Sequence, residues 1–311
     1  MIFQRLPLQR TFRLSPSSLG AMFFALLFLW PPSKGACLEI VDDMGNRVVL
    51  QQPAQRIIPL YGAFGEMLHA IGAGEQVIAR TQSDNFPPEV SRLPAVGTHM
   101  KPNVEIIVGL KPDLVIQSVS RRAVLPEMTR VKEAGIPVAF FSPRTFEEIF
   151  EVMVKLGVLT GREEEARVEV GELKARLASV KASTANMEFR KKVFFEVRQQ
   201  PLTAAGRSSI VNEVIAAAGG ENAIQNERAI VQYNFESLLL ANPQVYVVQT
   251  GPMNRNPLHP RKRAHFERVR AVREGNVIFV DEFMFSRPGP RCVDAVEKLF
   301  RELYPEIYFG G

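Results

Sequence analysis

Short apolar runs that are typical of buried strands recur along the chain and alternate with amphipathic patterns that are typical of helices. The predicted strands are Arg56–Leu60, Val77–Ala79, Leu114–Ile116, Val138–Phe141, Lys192–Val197, Val245–Val248 and Val277–Val280. Alternation of this kind favours an α/β fold with a central, mainly parallel sheet flanked by helices.

Parts of the chain repeat. Residues 103–116 align with residues 234–247 without a gap, and Asn, Glu and Pro recur in register. Each copy predicts a short helix that begins at an Asn cap, carries a Glu in its first turn and ends before a Pro and a buried strand. Earlier in each half, Glu66 and Glu213 precede glycines that would end a helix, Gly72 and Gly219. The repetition predicts two α/β lobes.

The longest helical pattern lies between the repeated halves. Phe146, Ile149, Phe150 and Met153 recur at helical spacing, and mixed charges follow from Glu163 onward. We therefore predict an N-terminal lobe over residues 37–143, one long rigid interlobe helix over residues 144–185 and a C-terminal lobe over residues 186–311.

The first 36 residues differ from the rest of the chain. Arg5, Arg10 and Arg13 precede the apolar run Leu19–Trp30, and small residues follow it. This order predicts an export signal peptide over residues 1–36, since a membrane-spanning helix needs roughly 20 apolar residues. Without the four basic residues of this segment the chain has 34 basic and 33 acidic residues, a net charge of +1. The composition therefore gives no support for nucleic-acid binding.

Cys37 and Cys292 are the two cysteines of the chain. Two cysteines in an exported protein can form one disulfide, and we predict a Cys37–Cys292 bridge. A lipid anchor on Cys37 is one alternative, although Lys34 stands where a lipoprotein signal has an apolar residue. Two free thiols are the other alternative.

Several stretches, in this order along residues 38–310, resemble one known family. They are Ile40–Val49, Pro53–Ile58, Ser83–Pro88, Leu110–Ile116, Leu156–Gly161, Gly219–Asn222 and Arg287–Arg291. The chain resembles the helical-backbone family of periplasmic substrate-binding proteins, which serve ATP-driven importers of iron chelates, haem and cobalamin. The resemblance implies a monomer in the periplasm that holds one ligand between two lobes, closes little on binding, and delivers the ligand to a permease with its ATPase.

Ligands of α/β lobes bind outside the carboxyl ends of the strands. The candidate ligand-binding residues at such ends are Tyr61, Phe86, His99, Met100, Ser118, Arg198, Thr250, Met253, Phe285 and Arg287. Aromatic, thioether and guanidinium groups suit a large, partly apolar ligand with acidic groups. The sequence therefore favours a ferric siderophore or haem. Cobalamin is less favoured because the one tryptophan, Trp30, lies in the predicted signal peptide.

The four histidines, His69, His99, His259 and His265, do not show the spacing of a metal site, and we predict no resident metal or other cofactor. His99 is the one histidine at a predicted strand end. It could contact the ligand, or it could be a hydrogen-bonded loop histidine.

The resemblance implies that one exposed glutamate on each lobe pairs with arginines of the permease. Glu105 and Glu236 are the repeat-related acids, so they are the predicted docking residues. Their position near a helix N-terminus explains them equally well as stabilising charges.

No catalytic residue is predicted, and the chain is expected not to be an enzyme. Gly206–Ser209 lacks the Gly-Lys-Ser/Thr ending of a phosphate loop. The basic run from residue 259 to residue 270 predicts an amphipathic helix with a charged, solvated face. An exported enzyme or a ligand sensor that uses the same two-lobed cleft is the alternative function.

Overall fold

The computed structural model describes residues 1, 2, 37–119 and 125–308, and residues 37–311 form one compact unit. The predicted signal peptide, residues 1–36, lies outside the described residues except for Met1 and Ile2. Among the described residues, no helix is both long enough and apolar enough to cross a membrane.

The N-terminal lobe contains a three-stranded parallel sheet with the strand order β3-β6-β7. Its strands are β1 (Leu38–Val41), β2 (Arg47–Leu50), β3 (Ile57–Pro59), β4 (Gly97–Thr98), β5 (Lys101–Pro102), β6 (Leu114–Ser118) and β7 (Val138–Phe141). Its helices are α1 (Gly62–Ala70), α2 (Val104–Gly109) and α3 (Leu125–Glu133). The pairs β1-β2 and β4-β5 are antiparallel. Of the predicted strand Val77–Ala79, only Val77 bridges to Ile57.

The C-terminal lobe contains a mixed sheet with the order β11-β9-β8-β12-β13, and β10 also pairs with β8. Its strands are β8 (Lys192–Arg198), β9 (Thr203–Ala205), β10 (Glu221–Asn222), β11 (Ile230–Gln232), β12 (Val245–Thr250) and β13 (Val277–Asp281). Its helices are α6 (Ile210–Ala217), α7 (Phe235–Ala241), α8 (Arg270–Arg273), α9 (Glu282–Phe285), α10 (Arg291–Leu303) and α11 (Pro305–Tyr308). The neighbours β8, β12 and β13 are parallel, as predicted, whereas β9 and β11 run antiparallel at one edge.

The segment between the lobes contains two helices, α4 (Phe146–Thr160) and α5 (Glu163–Thr184), rather than the single helix predicted. Gly161 separates them in the left-handed conformation, with φ of 71°. A Cβ on Gly157 would lie 2.7 Å from the Ala166 Cβ, so the two helices approach closely at this turn. Helix α4 packs on β1 and α1 of the N-terminal lobe, and the 22-residue α5 packs on α6 and α10 of the C-terminal lobe.

The sequence repeat corresponds to a repeated local structure. The Asn103 side chain accepts a hydrogen bond from the Ile106 amide, and the Asn234 side chain accepts one from the Ser237 amide. Gly72 and Gly219 follow α1 and α6 with φ of 78° and 81°. The predicted caps are confirmed because both depend only on local chain geometry.

One hydrophobic core runs from one lobe to the other. It includes Phe64 and Phe141 of the N-terminal lobe together with Phe195 and Phe285 of the C-terminal lobe. Continuous apolar packing of this kind makes large relative movement of the lobes costly.

The predicted disulfide is wrong. Cys37 and Cys292 are free thiols, not a disulfide. Cys37 is exposed before β1, whereas Cys292 is buried in α10, where its thiol donates to the Arg287 carbonyl at 2.9 Å.

The predicted amphipathic helix over residues 259–270 is a series of short turns. Arg263, within this run, is buried and paired with Glu196 rather than solvated. Arg263 pairs with the buried Glu196 and therefore does not lie on the charged, solvated face that the sequence predicted.

Candidate functional site: the interlobe cleft

A cavity of about 510 Å³ lies between the two lobes. Its lining residues are Tyr61, Phe64, Ser118, Ser142, Pro143, Arg144, Val197, Ala205, Ser208, Ser209, Ile210, Val211, Glu227, Arg228, Ala229, Ile230, Met253, Ser286 and Pro288. Apolar walls with a few polar groups are typical of small-molecule sites, and this volume falls within their usual range. We call this cavity the interlobe cleft.

Tyr61 is the aromatic residue at the start of α1 on the N-terminal wall. Its ring centroid lies 5.7 Å from that of Phe64 in a T-shaped arrangement and 5.6 Å from that of His99. Burial raises the pKa of the Tyr61 phenol, so this hydroxyl stays protonated at neutral pH. Tyr61 therefore offers the cleft a flat apolar face and a neutral hydroxyl.

Hydroxyl groups enter the cleft from both lobes. Ser118 ends β6 on the N-terminal side, and Ser142 follows β7. On the opposite side Ser209 caps α6, where its side chain accepts from the Asn212 amide. These side chains can hydrogen-bond a ligand without adding a charge to the site.

Two arginines give the cleft a positive rim. Arg144 belongs to the loop that leads from β7 into α4, and Arg228 belongs to the loop before β11 of the C-terminal lobe. Both are exposed, and within the described part of the chain neither guanidinium has an ion-pair partner. The acid beside them, Glu227, lies 3.4 Å from Arg207.

The structure brings three predicted ligand-binding residues into the cleft lining: Tyr61, Ser118 and Met253. The Met253 amide donates to Glu282 at 2.8 Å, which holds this loop in place. His99 does not line the cavity, but its ring contacts Tyr61, and its carbonyl accepts from Gln117.

Phe285 and Arg287 do not have the predicted contact with the cleft. Phe285 is completely buried and stacks on Phe195 at 6.1 Å, because it faces the core side of α9. Arg287 is also buried and faces acids of the other lobe, at 3.3 Å from Asp84 and 3.8 Å from Glu66.

The four remaining candidates lie outside the cleft lining. Phe86 is exposed, and the Arg291 guanidinium stacks over its ring at 4.2 Å. The Thr250 hydroxyl donates to the Val280 carbonyl at 2.9 Å. Met100 belongs to the turn between β4 and β5, and Arg198 ends β8. Their contact with ligand stays a prediction.

Sequence reasoning missed much of the cleft. Ser142, Arg144, Arg228 and Ser286 carry no local pattern that marks them, because they meet only when the lobes pack together. Ser208 and Ser209 belong to the Gly206–Ser209 run, whose small polar residues were a usable signal for a binding loop.

The predicted docking acids differ in their surroundings. Glu105 and Glu236 are both exposed in the first turn of their helices. Arg130 lies 2.7 Å from Glu105, and this hydrogen bond lowers the pKa of the Glu105 carboxyl. Elsewhere, no group of three or more histidine, cysteine, aspartate or glutamate side chains in the described ranges could hold a metal ion.

A ligand-sized cleft between two packed lobes is the arrangement of a small-molecule-binding protein. The chain belongs to the periplasmic binding protein family, whose model matches residues 57–282. The matching relatives are substrate-binding proteins of transporters, not enzymes.

Relatives match over most of the chain. An uncharacterized ABC transporter substrate-binding lipoprotein of Bacillus subtilis is 30% identical over 274 residues, covering 86% of each protein. A vitamin B12-binding protein of Photorhabdus laumondii is 27% identical over 253 residues, covering 80% of this chain and 87% of the relative.

Solved structures agree with the fold. The periplasmic vitamin B12-binding protein of Vibrio cholerae is 25% identical, with a TM-score of 0.71, covering 81% of this chain and 98% of that one. A periplasmic heme-binding protein solved with two hemes is 21% identical, with a TM-score of 0.72, covering 82% of this chain and 100% of that one. The second likeness shows the fold alone.

Proposed function

We propose that this protein captures a metal chelate with acidic groups, such as haem or a carboxylate siderophore, in the interlobe cleft and delivers it to an ABC permease. The observation that carries the proposal is that two arginines without an ion-pair partner among the described residues, Arg144 and Arg228, line a mostly apolar and hydroxyl-lined cavity, whose one acid, Glu227, pairs with Arg207. Guanidinium groups bind carboxylates in a bidentate manner, and a flat chelate would lie against Tyr61.

Binding of defined probes tests this ligand class. The protein without residues 1–36 is titrated with haemin, ferric citrate, ferrichrome and cyanocobalamin, followed by absorbance and by calorimetry. We expect the probes with carboxylates to bind more tightly than ferrichrome or cyanocobalamin. Arg144→Ala with Arg228→Ala should weaken that binding at least tenfold, whereas Arg255→Ala, an exposed arginine outside the cleft, should not. Unchanged affinity in the double variant would overturn the proposal.

Cobalamin is the second candidate ligand. Several relatives that match four-fifths of the chain are vitamin B12-binding proteins, which favours a corrinoid. The same titration separates the two candidates: tight binding of cyanocobalamin that does not depend on Arg144 and Arg228 would support the corrinoid.

We propose that Glu105 and Glu236 dock on the permease. Both are exposed on repeat-related helices of different lobes, which suits a partner that spans both lobes. Replacing both by Ala should leave ligand affinity intact and lower uptake by cells. The matched control is Glu267→Ala with Glu274→Ala, two exposed acids of the C-terminal lobe. Loss of ligand affinity in the docking variant would contradict the assignment.

We also propose that the protein is exported to the periplasm as a monomer. The apolar run after the first arginines supports export, and the exposed Cys37 thiol is accessible for lipid attachment as the alternative to a free thiol. The intact mass of the exported protein distinguishes a free cysteine from a lipidated one, and sedimentation gives the oligomeric state.

A further inference from the structure

Four charged side chains meet where the two lobes touch beneath the cleft. Glu66 on α1 and Asp84 in the following loop come from the N-terminal lobe, and Arg287 and Arg291 come from the C-terminal lobe. Glu66 is 3% exposed and Asp84 is 5% exposed. We call these four residues the interlobe charge cluster.

The absence of a side chain at Gly62 leaves space for this cluster. A Cβ on Gly62 would lie 2.0 Å from the Arg287 Nη1 and 2.4 Å from the Asp84 Oδ1. Gly62 follows Tyr61 in the chain, and Arg287 lies between Ser286 and Pro288. Tyr61, Ser286 and Pro288 all line the cleft. The cluster therefore joins the two lobes next to residues that line the cleft.

Asp84 and the arginines are held firmly. The Asp84 Oδ2 accepts from the Thr81 amide at 3.1 Å and from the Thr81 hydroxyl at 2.7 Å. Arg287 stacks over Phe283 at 3.8 Å, and Arg291 stacks over Phe86. These contacts fix the positive groups irrespective of the state of Glu66.

Asp84 and Glu66 each have one buried carboxylate oxygen without a hydrogen-bond partner among the described residues, but Asp84 also accepts two hydrogen bonds from Thr81, whereas Glu66 accepts none from its own lobe. Its Oε1 lies 3.5 Å from the Arg291 Nη1 and 3.8 Å from the Arg287 Nη1, which are long distances for an ion pair. Its Oε2 is buried and has no hydrogen-bond partner among the described residues. A buried carboxylate with such contacts does not recover the cost of leaving water.

We propose that loss of a proton from Glu66 loosens the contact between the lobes, so that the floor of the cleft is held more firmly in mildly acidic than in alkaline medium. Opening the contact lets water reach the carboxylate. The ionised form therefore favours the opened state, and the neutral form favours the closed one.

The electrostatics of the cluster also favour a neutral Glu66 in the closed state. Burial raises the pKa of the Glu66 carboxyl to about 7, against the opposing effects of Arg291 and Arg287. Glu66 also lines a second pocket, together with residues of α5 and α10, which gives a proton access to this residue from solvent. The other titratable or charged groups that line this pocket or interact with the cluster are Tyr61, His69, Arg80, Glu89, Glu169, Arg176, Asp281, Glu282, Cys292 and Asp294.

Proton linkage determines whether opening becomes easier or harder as the pH rises. Glu66 binds its proton more tightly in the closed state, near pH 7, than in water, where its ordinary value is 4.5. Protonated Glu66 therefore stabilises the closed contact fully below pH 4.5, and this stabilisation is lost as the pH rises through about 7. The equilibrium constant for opening should therefore rise about 30-fold between pH 5.5 and pH 8.

Hydrogen exchange of the ligand-free protein tests the proposal. After correction for intrinsic exchange, amide protection in residues 62–70 and 286–292 should fall by about 30-fold from pH 5.5 to pH 8. Glu66→Gln keeps the neutral shape and should remove this dependence. The matched control is Glu213→Gln, the repeat-related acid on α6, which is half-buried and faces no arginine of the cluster.

Two results would overturn the proposal: protection in the wild-type protein that does not change with pH, or the same change in wild type and Glu66→Gln. Should Glu66→Gln fail to fold, infrared spectra of the wild-type protein give a second readout. A carboxylic acid band in the folded protein that disappears near pH 7 supports the proposal, and its absence at pH 5.5 contradicts it. Both readouts are made without ligand, so they stand apart from the identity of the cargo.

Discussion

Two buried charged clusters in the described part of the chain satisfy their acids very differently. In the C-terminal lobe Glu196 is wholly buried and accepts from Arg263 at 3.0 Å, Asn254 at 3.2 Å and Tyr246 at 2.5 Å. Between the lobes, the partners of Glu66 among the described residues are two arginines at 3.5 Å and 3.8 Å, and its Oε2 has no hydrogen-bond partner among those residues.

The difference shows where the fold tolerates an incompletely paired charge. The Glu196 cluster lies inside one lobe, where strand β8 and the loop that carries Arg263 are held by the same sheet and core. The interlobe charge cluster joins residues of two lobes that have different sheets, so its distances depend on how the lobes pack. A fully paired cluster stabilises one lobe, whereas a partly paired one responds to protonation.

The largest expected effect comes from breaking the Glu196 cluster. Arg263→Met leaves Glu196 buried without a counter-charge and should lower the free energy of unfolding by about 3–5 kcal/mol. Urea unfolding measures this difference. Lys262→Met, at the exposed neighbouring position, should change stability by less than about 0.5 kcal/mol. Equal effects of the two substitutions would show that Arg263 is not needed to compensate Glu196.

A smaller effect comes from removing one hydrogen bond of the same cluster. The Tyr246 hydroxyl donates to the Glu196 Oε2, and burial raises the pKa of this phenol well above its ordinary value. Tyr246→Phe should cost about 2 kcal/mol, since the acceptor is charged. Tyr233→Phe is the control, because the described structure contains no hydrogen bond from that hydroxyl, and thermal unfolding of the two variants should differ clearly.

A methyl group at position 62 would crowd the interlobe charge cluster. Gly62→Ala should therefore lower the free energy of unfolding by about 1–3 kcal/mol, because the new Cβ forces Arg287 and Asp84 apart. Gly65→Ala, in the same helix, meets only Pro59 at 3.7 Å. That variant should be unchanged or up to about 1 kcal/mol more stable, since alanine favours a helix. If Gly62→Ala is equally stable, the close approach of Arg287 is not required.

The smallest effect is expected for an exposed cluster. Arg176 lies 2.6 Å from Asp294 and 2.7 Å from Glu297, and all three side chains are partly exposed. Arg176→Gln should cost less than about 1 kcal/mol, and the cost should fall further in 1 M salt. A cost comparable to that of Arg263→Met would show that exposure does not govern the strength of these clusters.

The repeated helices show how far prediction from sequence reaches. Glu66 and Glu213 occupy equivalent positions before a glycine that ends the helix, and both helices were predicted. Only Glu66 is buried between the lobes, because C-terminal residues that are distant in sequence pack on α1. The pairing of Glu105 with Arg130, which Glu236 does not share, has the same origin.

The sequence by itself determined the α/β class, the parallel strands β3, β6, β7, β8, β12 and β13, the helix caps at Asn103 and Asn234, and the family. These features follow from side-chain alternation and from hydrogen bonds between near neighbours. Tertiary structure alone decided that the two cysteines are apart, that Phe285 faces the core and that Arg144 and Arg228 line the same cleft. The packing of lobes over long sequence separations sets these contacts, and no local pattern encodes it.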